Sequence, residues 1–136
     1  MFMSDISLIV RKMRTCADRN AATIGVGFPE QLVLMHLKAH GASNQETIAL
    51  AHGIDKGAIA KTIAKLEEKG LVEREVNPAN KREKLVTLLP VANDVIAQMG
   101  ESYSQLQELM FQGMDAREQE VLLVSLSKVA ENLNAL

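Results

Sequence analysis

The sequence predicts a mainly α-helical chain carrying one small β-hairpin, and three observations lead there. Residues 43–88 read as helix, short turn, helix and then a hairpin with a charged tip. Apolar residues recur at three- and four-residue spacing towards both ends of the chain, as they do along one face of a helix. Positive charge gathers in the middle of the chain and negative charge at its C-terminal end. Two helices on a short turn, followed by a hairpin, form the order of a winged helix-turn-helix, in which the second helix can lie in a major groove.

The elements follow in order. A first helix is expected from about Asp5, capped by Ser4, to about Asn20, with Ile6, Ile9, Val10, Met13, Cys16 and Ala17 forming one apolar stripe. Ala21–Phe28 reads as a glycine-containing loop, and Pro29 suits the first turn of a second helix that stops at Gly41. Ser43 and Glu46 have the spacing of a capping box for a third helix, which closes at Gly53. Asp55 is a ready N-cap for a fourth helix ending at Lys69-Gly70. Leu71–Val76 alternates like a strand, Asn77–Asn80 turns, and Lys84–Leu88 returns. Beyond Pro90, residues Ala92, Ile96, Met99, Tyr103, Leu106 and Met110 make a heptad-like seam, softened at Gly100 and closed near Gly113. Asp115 and Glu118 box the start of a last helix, whose seam is Leu122, Leu126, Val129, Leu133 and Leu136.

A chain of 136 residues fits one domain, 1–136, with a winged unit at 29–89 and helical dimerisation segments at 4–28 and 90–136. Aromatics make up 3% and tryptophan is absent, so the core must be aliphatic and methionine-rich. No apolar run approaches the roughly 20 residues that span a bilayer, and no signal-peptide order opens the chain. The expectation is a cytoplasmic protein with no membrane partner. A single cysteine excludes an intramolecular disulfide. Glycine-rich phosphate loop, nucleophile elbow and HExxH are all missing, so no enzymatic activity, cofactor or metal is expected.

The net charge of −2 divides unevenly along the chain. Residues 55–90 hold eight Lys/Arg against six Asp/Glu, whereas residues 91–136 hold two against seven. Such a dipolar chain can offer its basic face to phosphate. In the fourth helix Ile59, Ile63 and Leu66 form the buried stripe, which leaves Lys56, Gly57, Ala58, Lys61, Thr62 and Lys65 as candidate DNA contacts. Ser43, Asn44 and Gln45 join them from the start of the third helix. Arg74, Asn80, Lys81, Arg82 and Lys84 join them from the hairpin, whose tip can enter a minor groove.

These residues also carry a family resemblance. Ile54-Asp55-Lys56-Gly57, Lys61, Leu66–Arg74, the wing Asn77–Arg82 and Lys84–Leu88 resemble the MarR family of transcriptional regulators. The resemblance implies a homodimer joined through its terminal helices, double-stranded DNA with a pseudo-palindromic operator as partner, and a small-molecule effector between dimer layer and winged unit. Arg11, Arg14 and His36 are candidate anion partners for that effector. Departures from the family pattern are Asn80-Lys81-Arg82 where Asp-x-Arg is usual, Ala60-Lys61 for a Ser-Arg pair, Leu89-Pro90 for a Leu-Thr cap, and His52 at a usually apolar position. Lys61 can reach guanine or phosphate but lacks arginine's bidentate fork.

The expected function is therefore a homodimeric, ligand-responsive repressor. Two alternatives remain open at this stage: a redox- or metal-sensing regulator on the same scaffold, and a winged helix that binds protein rather than DNA. For the first alternative, Cys16 lies on the apolar stripe with Met13, which favours a packed thiol over a sensing one. His36 and His40 have a metal-compatible spacing, but no cysteine pair or carboxylate accompanies them, which favours a solvated pair.

Overall fold

Six helices and one antiparallel hairpin, in the expected order, make up the chain in a computed structural model that describes residues 1–136. α1 spans Phe2–Ile24 and is longer at both ends than expected. Ser4 is not its cap: its hydroxyl lies inside the first turn and donates to the Met1 carbonyl at 2.9 Å. Nothing in Ala21–Ile24 breaks a helix, so α1 runs to Gly25, whose φ of 87° ends it, and the predicted loop shrinks to Gly25–Gly27. α2 (Phe28–His40) opens with Pro29 in its first turn, and Glu30 accepts from the Gly27 N–H at 3.3 Å.

α3 spans Gln45–His52, and its cap is Asn44 rather than Ser43: the Asn44 Oδ1 accepts from the Thr47 N–H at 2.7 Å. Ser43 is drawn away because its backbone pairs with Val86 in both directions, at 3.2 and 2.8 Å. The segment before α3 thus adds a short rung to the sheet. α4 (Lys56–Glu68) is capped as expected, with Asp55 accepting from the Gly57 and Ala58 N–H groups at 2.9 and 3.3 Å.

β1 (Val72–Asn77) pairs with β2 (Asn80–Leu88) from Val72 opposite Leu88 to Val76 opposite Lys84. Asn77 then faces Asn80, so Lys81, Arg82 and Glu83 bulge out of register from a strand that begins earlier than the expected Lys84. α5 (Ala92–Met110) passes Gly100 without interruption and stops three residues short of Gly113. α6 (Ala116–Leu133) starts with the expected box, Asp115 accepting from the Glu118 N–H at 2.8 Å. Leu136, the last member of its predicted seam, falls beyond the helix.

The core lies inside the winged unit. Val33, Leu34 and Leu37 of α2 meet Ile48 of α3, Ile59, Ile63 and Leu66 of α4, and Val72 and Val86 of the hairpin. Ala92 and Met99 of α5 join them, so part of the α5 seam is covered by its own chain. α1 and α6 bury no residue at all.

Candidate nucleic-acid interface and ligand cavity

The start of α3, the hairpin and the N-terminal turns of α4 make one polar face. An open groove between α3 and the wing is lined by Asn44, Gln45, Arg74, Asn80, Arg82 and Lys84, all expected from sequence, together with Glu46 and Glu83. Gln45 reaches α4 by donating to the Lys56 carbonyl at 3.4 Å. Lys56 pairs with Glu46 at 2.6 Å, and that carboxylate holds its ammonium above the usual lysine range. Arg74 pairs with Glu67 at 3.0 Å, which turns it back towards the end of α4. Gly57, Ala58, Lys61 and Lys65 are exposed along α4, and Lys81 and Arg82 are exposed on the bulge.

Two expected contacts turn inward. Thr62 is 8% exposed and its hydroxyl donates to the Ala58 carbonyl at 3.0 Å, because it lies on the same stripe as Ile59, Ile63 and Leu66. Ser43 is buried by its pairing with Val86, and its hydroxyl donates to the Gly41 carbonyl at 2.9 Å.

A second feature lies on the far side of α2. α1, α2 and α5 enclose a largely apolar cavity of about 140 Å³, with Met13, Cys16, Phe28, Leu32, Met35, Met99, Tyr103 and Leu106 among its walls. Two of the chain's four aromatic side chains are here. Cys16 faces this space beside Met13 and is partly covered. None of the three expected anion partners lines it. Arg11 is exposed and lies within reach of Ser7 on its own helix, at 3.4 Å. Arg14 lies over the ring of Phe28, 5.1 Å from its centroid, but is not among the residues that line the cavity.

His36 departs furthest from its expected place. It is 6% exposed on the core side of α2, not solvated, and its Nδ1 lies 3.3 Å from His52 Nε2 on α3. The His40 ring is 4.6 Å away between centroids, so all three histidines of the chain form one cluster, with His36 Nε2 buried and unpartnered. Burial first, and then the charges of its neighbours, hold His36 below the ordinary histidine range, and His52 is lowered in the same way. In place of the apolar side chain usual at position 52, His52 thus supplies a polar partner for His36.

Comparison with known proteins agrees with this architecture. Residues 29–84 match the profile of the MarR family. A MarR transcriptional regulator from Methanosarcina mazei superposes with a TM-score of 0.87 at 26% identity, covering 99% of this chain and 98% of that one. The S. aureus MepR–DNA complex has the same fold, with a TM-score of 0.82 at 18% identity over 98% of this chain and 96% of that one. CouR from Rhodococcus jostii bound to p-coumaroyl-CoA has it too, with a TM-score of 0.83 at 20% identity over 92% and 88%. With its winged unit matching that profile and its full length superposing on that fold, the chain has a winged helix-turn-helix fold and is similar to the MarR family.

Proposed function

We propose that the chain is a sequence-specific DNA-binding transcriptional regulator that acts as a homodimer and represses from a pseudo-palindromic operator until a small ligand releases it. The observation that carries this reading is the groove between the start of α3 and the basic wing, with the first residue of α4 tied to its α3 side through Gln45 and Glu46. A recognition helix reads base edges through its N-terminal turns, and a basic hairpin beside it meets the backbone or the minor groove. MepR, of the same fold, is known in complex with DNA. Of the exposed α4 lysines, Lys56 pairs with Glu46 while Lys61 and Lys65 have no ion pair, and Gly57 and Ala58 are small enough to let the backbone come close to a phosphate.

The apolar residues on α6 support the homodimer, since such a surface is normally covered by a partner. The largely apolar cavity between α1, α2 and α5 supports a ligand with an apolar part; CouR, of the same fold, is bound to p-coumaroyl-CoA. Selection from a random duplex pool, followed by binding at increasing salt, tests the reading. Recovery of an inverted repeat whose affinity falls steeply with salt is the expected result. No enrichment and no duplex binding at low salt would leave the polar face to a protein partner.

A further inference from the structure

Glu83 has the wrong charge for its position. It lies between Arg82 and Lys84 in the bulge of β2, on the face proposed to meet DNA, where a carboxylate repels phosphate. Its hydrogen bonds account for it. Asn77 donates from Nδ2 to one Glu83 oxygen at 2.8 Å, and Asn44 donates from Nδ2 to the other. Neither asparagine is free to turn over. The Asn44 Oδ1 is held by the Thr47 N–H at 2.7 Å as the cap of α3, and the Asn77 Oδ1 by the Ala79 N–H at 3.0 Å at the tip of the wing.

Each amide therefore presents a donor to a different Glu83 oxygen, and a carboxylate satisfies both in this pose because each of its ends accepts. Glutamine has one oxygen, so its NH₂ would face an asparagine NH₂. The two donors also hold the Glu83 carboxyl below the usual carboxylate range, so it stays ionised near neutrality. The bulge leaves Lys81–Glu83 without ladder partners on β1, and Glu83 is the side chain that spans from it to the start of α3.

We infer that Glu83 is a positioning residue of the DNA interface: shared between Asn44 and Asn77, its carboxylate sets the distance from wing to α3 and so places Arg82 and Lys84 on the duplex. This rests on the DNA-binding reading above. It makes an expectation opposite in sign to simple electrostatics, because removing a negative charge from a DNA face should tighten binding if charge were the whole role.

The test compares wild type, Glu83→Gln and Asn77→Asp/Glu83→Gln, each measured on the selected operator and on an unrelated duplex of equal length. Glu83→Gln should bind the operator about ten-fold more weakly while the unrelated duplex is bound as well as before or better. In the double variant the new aspartate accepts from both the Ala79 N–H and the new glutamine, whose oxygen accepts from Asn44. Operator binding should return. Side-chain amide NMR of the DNA-free proteins reads the tie directly: the Asn44 and Asn77 NH₂ signals should shift and exchange faster in Glu83→Gln.

Equal tightening on both duplexes, or unmoved Asn44 and Asn77 signals, would overturn the inference. Should Glu83→Gln fail to fold, the double variant decides, its failure to restore operator binding counting against the tie. A wild type that binds no duplex refutes the DNA reading instead, and the amide signals still decide whether Glu83 holds the wing.

Discussion

On the proposed homodimer reading, replacing Leu126 by Asp should leave the chain monomeric. Leu122, Leu126, Val129 and Leu133 share one stripe of α6 and are 38%, 39%, 41% and 58% exposed. Full burial of a Leu or Val is worth about 1.5–3 kcal/mol, so covering what remains exposed corresponds to roughly 1 kcal/mol per side chain. Four such side chains give on the order of 4 kcal/mol per chain, and twice that across a two-fold interface to which both copies contribute. Leu126→Asp removes one contribution per chain and places an unpaired carboxylate in each half of the interface, costing several kcal/mol more. A loss of about 5 kcal/mol or greater raises the dissociation constant by more than three orders of magnitude. Sedimentation equilibrium over a concentration series measures this directly. Because α6 contributes nothing to the core, circular dichroism should show the winged unit still folded. Glu131→Lys, on the opposite side of α6 by helical periodicity, should leave the equilibrium unchanged. A wild type that is monomeric at high micromolar concentration, or a Leu126→Asp variant with the wild-type dissociation constant, would refute the reasoning.

Further outcomes follow from the same structure. Lys61→Ala should cost about 1–3 kcal/mol on the operator if Lys61 contacts a base. Arg82→Ala should lower the slope of log affinity against log salt by about one. Unchanged binding for both variants would place DNA on another face. Asp55→Ala removes the acceptor for two N–H groups at the start of α4 and should lower unfolding free energy in urea by about 1 kcal/mol. The histidine cluster should make stability fall with acid. His36 and His52 are held below the ordinary value of 6.5, so under mildly acidic conditions the unfolded chain binds protons that the folded chain does not. Their contribution is fully present above 6.5 and is lost as pH falls from there through the lowered folded values. Unfolding midpoints across that window should decline for wild type and less steeply for His36→Leu, and identical slopes would exclude the cluster as the cause.

What could be read from sequence was what neighbouring residues decide. Asp55 caps α4 and the Asp115–Glu118 box opens α6 because each supplies an acceptor within three residues of a free N–H. Partners distant in sequence decide the rest. Ser43 lost the cap of α3 to Asn44 because its backbone is committed to Val86. His36 reads as solvated in sequence because nothing near it there points to His52. Thr62 is a different case: it stands three residues after Ile59 and four before Leu66, so spacing alone placed it on the buried stripe, and only its hydroxyl suggested the outer face. Glu83 carried a visible signal, a carboxylate inside a basic turn, but its meaning depends on two asparagines, one of them on another element.

The placement of the cavity constrains how a ligand could act on the reading head. α2 turns Gln31, Leu32 and Met35 towards the cavity and Val33, Leu34 and Leu37 towards the core it shares with α4. Lys69, the C-cap of α4, donates to the Gly25 carbonyl at 2.8 Å and pairs with the nearly buried Glu30 at 2.6 Å. Glu30 in turn accepts from Gly27, so the α1–α2 turn, the start of α2 and the end of the recognition helix are held together. A ligand in the cavity touches α1, α2 and α5 but no residue of α4. On the proposed reading it therefore acts on the recognition helix indirectly, by tilting α2, and with it the whole winged unit, against α1 and α5. In a dimer that tilt changes the separation of the two recognition helices, which must meet major-groove faces about 34 Å apart. Release from DNA would then depend on the winged unit being stiff, since a unit that yielded at the Lys69–Glu30 link would absorb the movement before it reached α4.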